Sequence, residues 1–316
     1  MFVVGGESLV DLKTYPERAG GVIQMHAHPG GSPMNCAIAL SKLGPSTGFL
    51  CPISKDAFGD YILEPLAAAG VEVLLKDRVD AYTTLAVVSD DGRGNPRYAF
   101  YREADRAFTR EGLIAALPKD LTVYQIGGFC PIEPSDSAVW LDVVKAAVAR
   151  GATISHDPNV RPSLIDDMAG YRQRLDAFLD LAHIIKVSEE DLAELDKTLS
   201  LEAHAAAMLA RPNCKLAIIT LGAEGSLAFT AAGKTRSAVY PAAPGGDNVG
   251  AGDTLMAGVL TWLADHDVLA PAKLGALDAG ALGQMLWFGA VTAGINCSRI
   301  GANPPTRWEV DAVLHK

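Results

Sequence analysis

Short apolar runs of strand length alternate with longer stretches of helical periodicity along much of the chain. Between residues 123 and 220, four such runs are separated by stretches in which apolar residues recur at helical spacing. This alternation predicts βαβ units, and therefore an α/β fold whose parallel sheet carries helices on both faces. The N-terminal run Phe2–Val4, which ends at Gly5-Gly6, predicts a further buried strand.

Two regions depart from this alternation. Segments 83–88 and 97–102 are rich in β-branched and aromatic residues, and the turn-forming sequence 90–95 lies between them. They predict a β-hairpin, and because no helix follows either strand we expect it to lie outside the main sheet as a lid. Segments 226–230 and 235–240 predict an antiparallel pair at a sheet edge.

Polar clusters follow four of the predicted strands, at residues 7–11, 157–161, 188–191 and 220–225. Ligand sites in an open parallel sheet lie beyond the carboxyl ends of the strands, so these clusters predict one binding edge. Taken singly, each has a simpler interpretation. Residues 157–159 fit a turn, and residues 188–191 fit a segment that caps the following helix.

The segment from Asp247 to Thr254 combines two kinds of chemistry. The small residues Gly250, Ala251 and Gly252 precede an apolar helical run, which predicts exposed backbone N–H groups at a helix N-terminus, a site for an anion. Asp253 in the same turn can accept a proton. Phosphoryl transfer to a hydroxyl group requires both functions.

A second glycine-containing segment, Gly30-Gly31, precedes another predicted helix that carries Asn35 in its first turn. Two glycines allow a ligand to approach the backbone closely, and an asparagine amide both donates and accepts hydrogen bonds. A plain helix start after a glycine-rich turn explains the same residues equally well.

Composition narrows the class of partner. The formal net charge of −10, from 37 acidic and 27 basic residues, argues against a nucleic acid or an anionic membrane surface and favours a small molecule. We find no uncharged apolar run near the ~18 residues of a membrane span. The N-terminus lacks a basic region, and the five scattered cysteines lack a Cys-x-x-Cys pair, so we expect a reduced, cytoplasmic chain without a signal peptide.

Two other enzyme classes are disfavoured. The seven histidines show no paired spacing typical of a catalytic zinc site. No Gly-x-Gly-x-x-Gly follows the first strand, as a dinucleotide-binding dehydrogenase would require.

The two glycine-containing segments together carry a family resemblance. Residues 30–35, with Ala37, Leu40 and Leu43-Gly44, resemble the first signature of the ribokinase-like (phosphofructokinase B-type) sugar kinases, and residues 247–253 resemble the second. The resemblance implies a ribokinase-like three-layer sandwich with a mostly parallel central sheet. It also implies that residues 1–316 form a single kinase domain with lid strands at about 12–28 and 78–102. Within the family, the chain resembles the fructokinase and 2-keto-3-deoxygluconate kinase branch at Gly5, Glu7 and Asp11 and at residues 100–105 and 157–161.

The resemblance also implies roles for individual residues. Asp253 is the expected general base, and the N–H groups of Gly250, Ala251 and Gly252 form the expected anion hole. ATP is the implied phosphate donor, with Mg²⁺ and a candidate K⁺. The expected sugar-binding residues are Asp11, Gly30, Gly31, Asn35, Arg102 and Arg161, and the expected nucleotide-binding residues are Ser188, Thr220, Gly222 and Gly225. Asp191 is the expected Mg²⁺ ligand and Asp247 lies at the expected monovalent-cation site.

Several alternatives remain open at this point. Fructose is the first choice of phosphate acceptor. The second is 2-keto-3-deoxygluconate, whose carboxylate Arg102 and Arg161 could bind as an ion pair. Another sugar or a nucleoside is a further alternative. A sugar-binding regulatory protein on a kinase fold is the alternative outside enzymes, because the family's Asn-x-x-Glu is Ser-Glu-Glu-Asp here, at 188–191. An exposed lid sheet, with Thr83, Val87 and Tyr98 on alternating faces, predicts a homodimer formed through the lid.

Overall fold

The computed structural model describes residues 1–19, 21–90 and 96–315, so most of the turn predicted for residues 90–95 lies outside the described residues. In chain order the strands are β1 (Phe2–Gly5), β2 (Leu9–Ala19), β3 (Val22–Gly30), β4 (Thr47–Leu50), β5 (Glu72–Val73), β6 (Leu85–Asp90), β7 (Pro96–Tyr101), β8 (Val123–Gly127), β9 (Thr153–Asp157), β10 (Ile184–Ser188), β11 (Leu216–Thr220), β12 (Ser226–Phe229) and β13 (Lys234–Ser237). The helices are α1 (Ser32–Leu43), α2 (Ala57–Ala69), α3 (Arg110–Ala116), α4 (Pro134–Ala149), α5 (Met168–Leu179), α6 (Glu189–Asp196), α7 (Leu201–Leu209), α8 (Ala251–Asp265), α9 (Pro271–Leu274), α10 (Ala279–Cys297) and α11 (Arg307–Leu314).

The main sheet has the order β13-β12-β11-β10-β9-β8-β1-β4-β5. Neighbouring strands from β5 to β11 run parallel, whereas β12 and β13 are antiparallel at one edge. The predicted parallel sheet and its antiparallel edge pair are therefore confirmed. Parallel pairing also brings the polar clusters after β1, β9, β10 and β11 to the same edge of the sheet.

Two hydrophobic cores cover the two faces of this sheet. Side chains alternate between the faces along each strand, so Val4 packs in one core while Val3 packs in the other. The first core includes residues of α1, α8 and α10, and the second includes residues of α4 and α5. The expected three-layer α/β architecture follows from this packing.

The lid is a separate sheet of order β3-β2-β6-β7, in which β6 and β7 form the predicted antiparallel hairpin. Two details of the prediction are wrong. The first lid strand begins at Leu9, so Asp11 lies within a strand of the lid. Thr83 is buried rather than exposed, because its backbone N–H and its hydroxyl group donate to Asp56 (2.8 and 2.6 Å), which holds this segment against α2 ahead of β6.

Within the described residues, no helix is both long and apolar enough to cross a lipid bilayer.

Candidate active site

The predicted anion turn opens α8. Gly250 is the N-cap and has φ 71°, a left-handed conformation that glycine adopts without strain. A Cβ at this position would lie 2.9 Å from Cβ of Ala302, so close packing also requires glycine. First-turn N–H groups such as those of Gly252 and Asp253 have no carbonyl partner within a helix. The N–H of Ala251 instead donates to the carbonyl of Asn248 (3.2 Å), so it is engaged in the turn.

Three hydrogen bonds hold the loop ahead of α8 in place. The carboxylate of Asp247 accepts from the N–H groups of Val249 (3.0 Å) and Gly301 (2.9 Å). The buried Asn296 of α10 donates from Nδ2 to the carbonyl of Val249 (2.8 Å). Asp247 therefore has a structural function here, and its place at a monovalent-cation site stays a prediction.

The two sequence signatures meet at Asp253. Ser32 Oγ donates to Oδ1 of Asp253 (2.6 Å), and Asn35 Nδ2 donates to Oδ2 (2.9 Å), although both donors lie more than 200 residues away in the sequence. Burial raises the pKa of Asp253, while these two hydrogen bonds and the charges of Lys186 and Arg161 oppose the rise. The side chain remains partly exposed. Asp253 is therefore a carboxylate held in one orientation with access to a ligand, as a general base requires.

Asp11 and Gly30 lie together at the junction of the lid with α1. A Cβ at Gly30 would lie 2.9 Å from Oδ2 of Asp11, so a larger residue here would force this carboxylate to move. Burial raises the pKa of Asp11 to about 6, and the charges of His28 and Arg161 oppose the rise. The charge of Arg161 opposes the rise in pKa of both Asp11 and Asp253, so the same guanidinium group acts electrostatically on both carboxyl groups.

Gly31 shares this junction. It has φ 112°, and a Cβ there would lie 2.7 Å from the carbonyl oxygen of Glu7. The backbone that follows β1 is therefore packed tightly against Gly31, so local packing requires glycine here, and its contact with a sugar stays a prediction.

Arg102 lies in a different setting. Its Nε and Nη2 donate to Oδ2 of Asp105 (2.9 and 2.7 Å), and its guanidinium carbon lies 4.7 Å from the centre of the Phe129 ring. Nη2 also lies 3.9 Å from Asp136, and only 10% of the side chain is exposed. Arg102 therefore links the lid to the body of the protein, and its predicted contact with a substrate stays a prediction.

On the nucleotide side, Ser188 and Thr220 are register partners at the ends of β10 and β11. The following turn contains Gly222 and Gly225, with φ 54° and 91°. A Cβ at Gly225 would lie 2.0 Å from the carbonyl oxygen of Ser237, so this turn depends on glycine. These four predicted residues form one continuous edge.

Asp191 completes a capping box at the start of α6. Its Oδ2 accepts from the N–H of Ser188 (3.1 Å), while Ser188 Oγ accepts from the N–H of Asp191 (3.0 Å). Its Oδ1 accepts from the N–H of Val160 (2.7 Å). The capping interpretation of this segment is confirmed. Each oxygen of the buried Asp191 accepts a backbone N–H, so the side chain has a structural role, and its ligation of Mg²⁺ stays a prediction. Across the described ranges no cluster of three or more metal-ligating side chains occurs.

Sequence reasoning missed two groups beside Asp253. The first is Ser32, whose hydroxyl group makes the shorter of its two hydrogen bonds. The second is the buried pair formed by Lys186 Nζ and Oδ2 of Asp157 (2.8 Å). A Cβ at Gly252 would lie 3.0 Å from Nζ of Lys186, which places this charge directly under the anion turn. A lysine in the middle of an otherwise apolar strand was the available signal.

Comparisons with known proteins agree with this geometry. Residues 1–309 match the sequence profile described as pfkB family carbohydrate kinase. The chain is 34% identical over 286 residues to the fructokinase of Klebsiella pneumoniae, and the match covers 86% of each protein. It is 32% identical over 292 residues to the fructokinase of Salmonella typhimurium, covering 88% of this chain and 91% of that protein.

A solved structure of the fructokinase of Xylella fastidiosa with bound ATP superposes with a TM-score of 0.88 at 28% identity, covering 99% of this chain and 98% of that one. The ribokinase of Giardia lamblia superposes with a TM-score of 0.82 at 24% identity, covering 99% and 98%, and shares the fold.

Proposed function

Because the chain belongs to the pfkB family of carbohydrate kinases, we propose that it transfers the γ-phosphate of ATP to a hydroxyl group of a small neutral sugar, with fructose as the acceptor. The observation that carries this proposal is the convergence of Ser32 and Asn35 on Asp253 at the N-terminus of α8. That arrangement sets a fixed proton acceptor beside an anion-binding helix terminus.

The proposed reaction is a direct displacement. Asp253 accepts the proton of the sugar hydroxyl group while the hydroxyl oxygen forms a bond to the γ-phosphorus. The bond between the γ-phosphorus and the oxygen that bridges it to the β-phosphate breaks. ADP leaves with the electron pair of that bond. The N–H groups at the start of α8, among residues 250–253, stabilise the negative charge on the transferring group.

The charges at the sugar side favour a neutral acceptor. A carboxylate substrate such as 2-keto-3-deoxygluconate would need free guanidinium groups for bidentate pairing. Arg102 already directs two of its nitrogens to the buried Asp105. Nη1 of Arg161 donates to the carbonyl groups of Asn159 (3.4 Å) and Val160 (3.1 Å), and its charge already acts on the carboxyl groups of Asp11 and Asp253. The fructokinase names of the similar proteins support the same acceptor.

Mg²⁺ fits this proposal as a partner of ATP rather than as an ion held by a protein cluster. Magnesium is commonly bound through one or two carboxylates and the substrate phosphates, and the oxygens of Asp191 are engaged by backbone N–H groups. A K⁺ ion near Asp247 stays part of the proposal.

The decisive experiment is ADP formation by the purified protein over a panel of sugars, with Mg²⁺ present and with K⁺ varied. We expect fructose to give the highest kcat/KM and 2-keto-3-deoxygluconate to give little turnover. A higher rate with the sugar acid would contradict the assignment of the acceptor. Binding of a sugar without ADP above background would contradict the enzyme and favour the regulatory alternative.

The Asp253→Asn variant tests the mechanism. It keeps the shape of the side chain but removes the base, so we expect turnover to fall by roughly 10²–10⁴-fold while sugar binding, measured by calorimetry, is largely kept. Asp278→Asn, the same change at the exposed N-cap of α10, is the matched control. Normal turnover in Asp253→Asn would remove Asp253 from its proposed role.

The proposal extends to the setting of the enzyme. We propose a single kinase domain with the lid as its cover, and a reducing cytoplasmic location, which the five free cysteines support. The lid strand β3 exposes Val22, Ile23 and Met25, which are 62%, 49% and 44% accessible, and such a surface suits pairing with a second copy. Light scattering should give the mass of a dimer, and charged substitutions at Ile23 and Met25 should give a monomer.

A further inference from the structure

Three polar side chains from adjacent strands face α8 from beneath. Side chains alternate along a strand, and Val123 of β8 and Ile184 of β10 pack in the same core as Met256 of α8. Gln125 and Lys186, each two residues further along, therefore face α8 as well. Asp157 of the intervening strand β9 is joined to Lys186 by the ion pair. Each of the three side chains is at most 5% exposed.

A small cavity lies between this cluster and the base. It is lined by Gln125, Asp157, Ser32, Cys36 and Asp253, among others, and offers about 10 Å³ to the centre of a water molecule. That is about the space one ordered water needs. Oε1 of Gln125 and Oδ1 of Asp157 are buried and, within the described part of the chain, have no hydrogen-bond partner. One water molecule has two hydrogens to donate, which matches these two acceptors.

The charged groups around Asp253 are few and come from separate elements. Lys186 in β10 and Arg161 after β9 favour the ionised form of Asp253. Asp157 in β9 and Asp253 act on each other as like charges, and burial raises the pKa of Asp157 to about 6 while Lys186 opposes the rise. Cys36 on α1 is a buried thiol whose pKa is raised well above its usual value, so it carries no charge near neutral pH. Lys186 Nζ lies 2.8 Å from Oδ2 of Asp157, so the charges of the pair offset each other. This pair lies directly under α8.

We propose that the Asp157–Lys186 pair, with a water molecule bound between Asp157 Oδ1 and Gln125 Oε1, forms a balanced-charge support that positions Asp253 and determines the pH range in which it acts as a base. This inference rests on the proposed kinase function. Asp157, Lys186 and Gln125 are positioning residues, since they act through Asp253 and the turn above them.

Opposite charge changes test the proposal. Asp157→Asn leaves the positive charge of Lys186 unbalanced, which favours ionised Asp253, so the acid limb of the pH profile of kcat/KM moves to lower pH. Lys186→Met removes that positive charge and moves the same limb to higher pH. We expect each displacement to be roughly half to one pH unit, since a charge in this range commonly shifts a carboxyl group by about one unit. The acid limb of the double variant Asp157→Asn/Lys186→Met should lie between the acid limbs of the two single variants.

The control is Asp105→Asn, which removes an equally buried carboxylate from an ion pair with Arg102. It damages packing to a similar degree but changes no charge under α8, so its acid limb should coincide with that of the wild-type protein. If both single variants moved the limb in the same direction, or neither moved it, the proposal would be overturned. Thermal unfolding identifies variants that do not fold. If a single variant does not fold, the test rests on the double variant, which leaves no unpaired buried charge and whose acid limb of kcat/KM must stay near the wild-type position.

A high-resolution crystal structure of the wild-type protein gives an independent measurement. We expect one water molecule within hydrogen-bond distance of both Gln125 Oε1 and Asp157 Oδ1. A direct contact between the two side chains, without that water, would refute the inference even if the kinase is active. Absence of turnover with every sugar would instead refute the proposed function, and the crystallographic test would stand unchanged.

Discussion

The hydrogen bond from Ser32 to Asp253 allows a sharp test of how the site controls its base. Ser32 Oγ lies 2.6 Å from Oδ1 of Asp253 and stabilises the ionised carboxylate. Ser32→Ala removes this donor, leaves Asn35 on the other oxygen and adds no bulk. The pKa of Asp253, which burial already raises, should therefore rise further.

The size of the effect follows from the energy of the bond. A hydrogen bond to a charged group contributes about 1.5–3 kcal/mol when water is excluded. Because Asp253 is partly exposed, water can replace part of the lost hydrogen-bond energy when Ser32 is removed. We therefore expect a net loss of about 1 kcal/mol, which corresponds to a rise in pKa of about 0.7 unit. A base with a raised pKa is protonated at a higher pH, so the acid limb of kcat/KM moves upward by that amount while the plateau changes little.

The assay is the initial rate of ADP formation at limiting sugar across the acid range. Ser41→Ala is the matched control, because Ser41 lies on the same helix α1 and its hydroxyl group donates to the carbonyl of Ala69 (2.6 Å), away from Asp253. The two variants should have clearly separated acid limbs. If the limb of Ser32→Ala coincides with that of Ser41→Ala, the hydroxyl group does not set the protonation of the base, and the reasoning is refuted.

Two further predictions concern stability. Gly128 has φ 61°, and a Cβ there would lie 2.4 Å from both carboxylate oxygens of the buried Glu7. Gly128→Ala should therefore lower the unfolding free energy by roughly 1–3 kcal/mol more than the control Gly151→Ala, where φ is 80° and no atom lies within 4 Å. Equal losses of unfolding free energy in urea would show that Glu7 moves aside without cost. Burial lowers the pKa of His156 from 6.5 to about 3, so the unfolded chain binds a proton that the folded chain refuses and stability falls as the pH drops below 6.5. At pH 5 this amounts to about 2 kcal/mol for one histidine. His156→Leu should remove that part of the acid sensitivity in urea unfolding measured from pH 7 to pH 5, and an unchanged slope of unfolding free energy against pH would refute the assignment to His156.

The sequence was sufficient for the fold class and for most of the site's backbone. Strand and helix periods are local properties, and they correctly indicated the parallel sheet, the antiparallel edge and the hairpin outside the main sheet. The sequence also pointed to Gly250, Gly225 and Gly30 as residues of the site. It could not show that Ala302, Ser237 and Asp11 crowd them, because those contacts arise only in the folded protein. The family followed from two such segments taken together.

Tertiary structure decided how the side chains are used. Nothing local indicates that Ser32 contacts Asp253 across more than 200 residues, or that Lys186 neutralises Asp157 beneath the anion turn, because these contacts depend on how helices and strands pack. The same applies to Arg102 and Asp191, whose charged groups are engaged by Asp105 and by backbone N–H groups. Side-chain type and spacing indicate which chemistry a residue can perform, whereas its partners in the folded protein determine whether it is free to perform it.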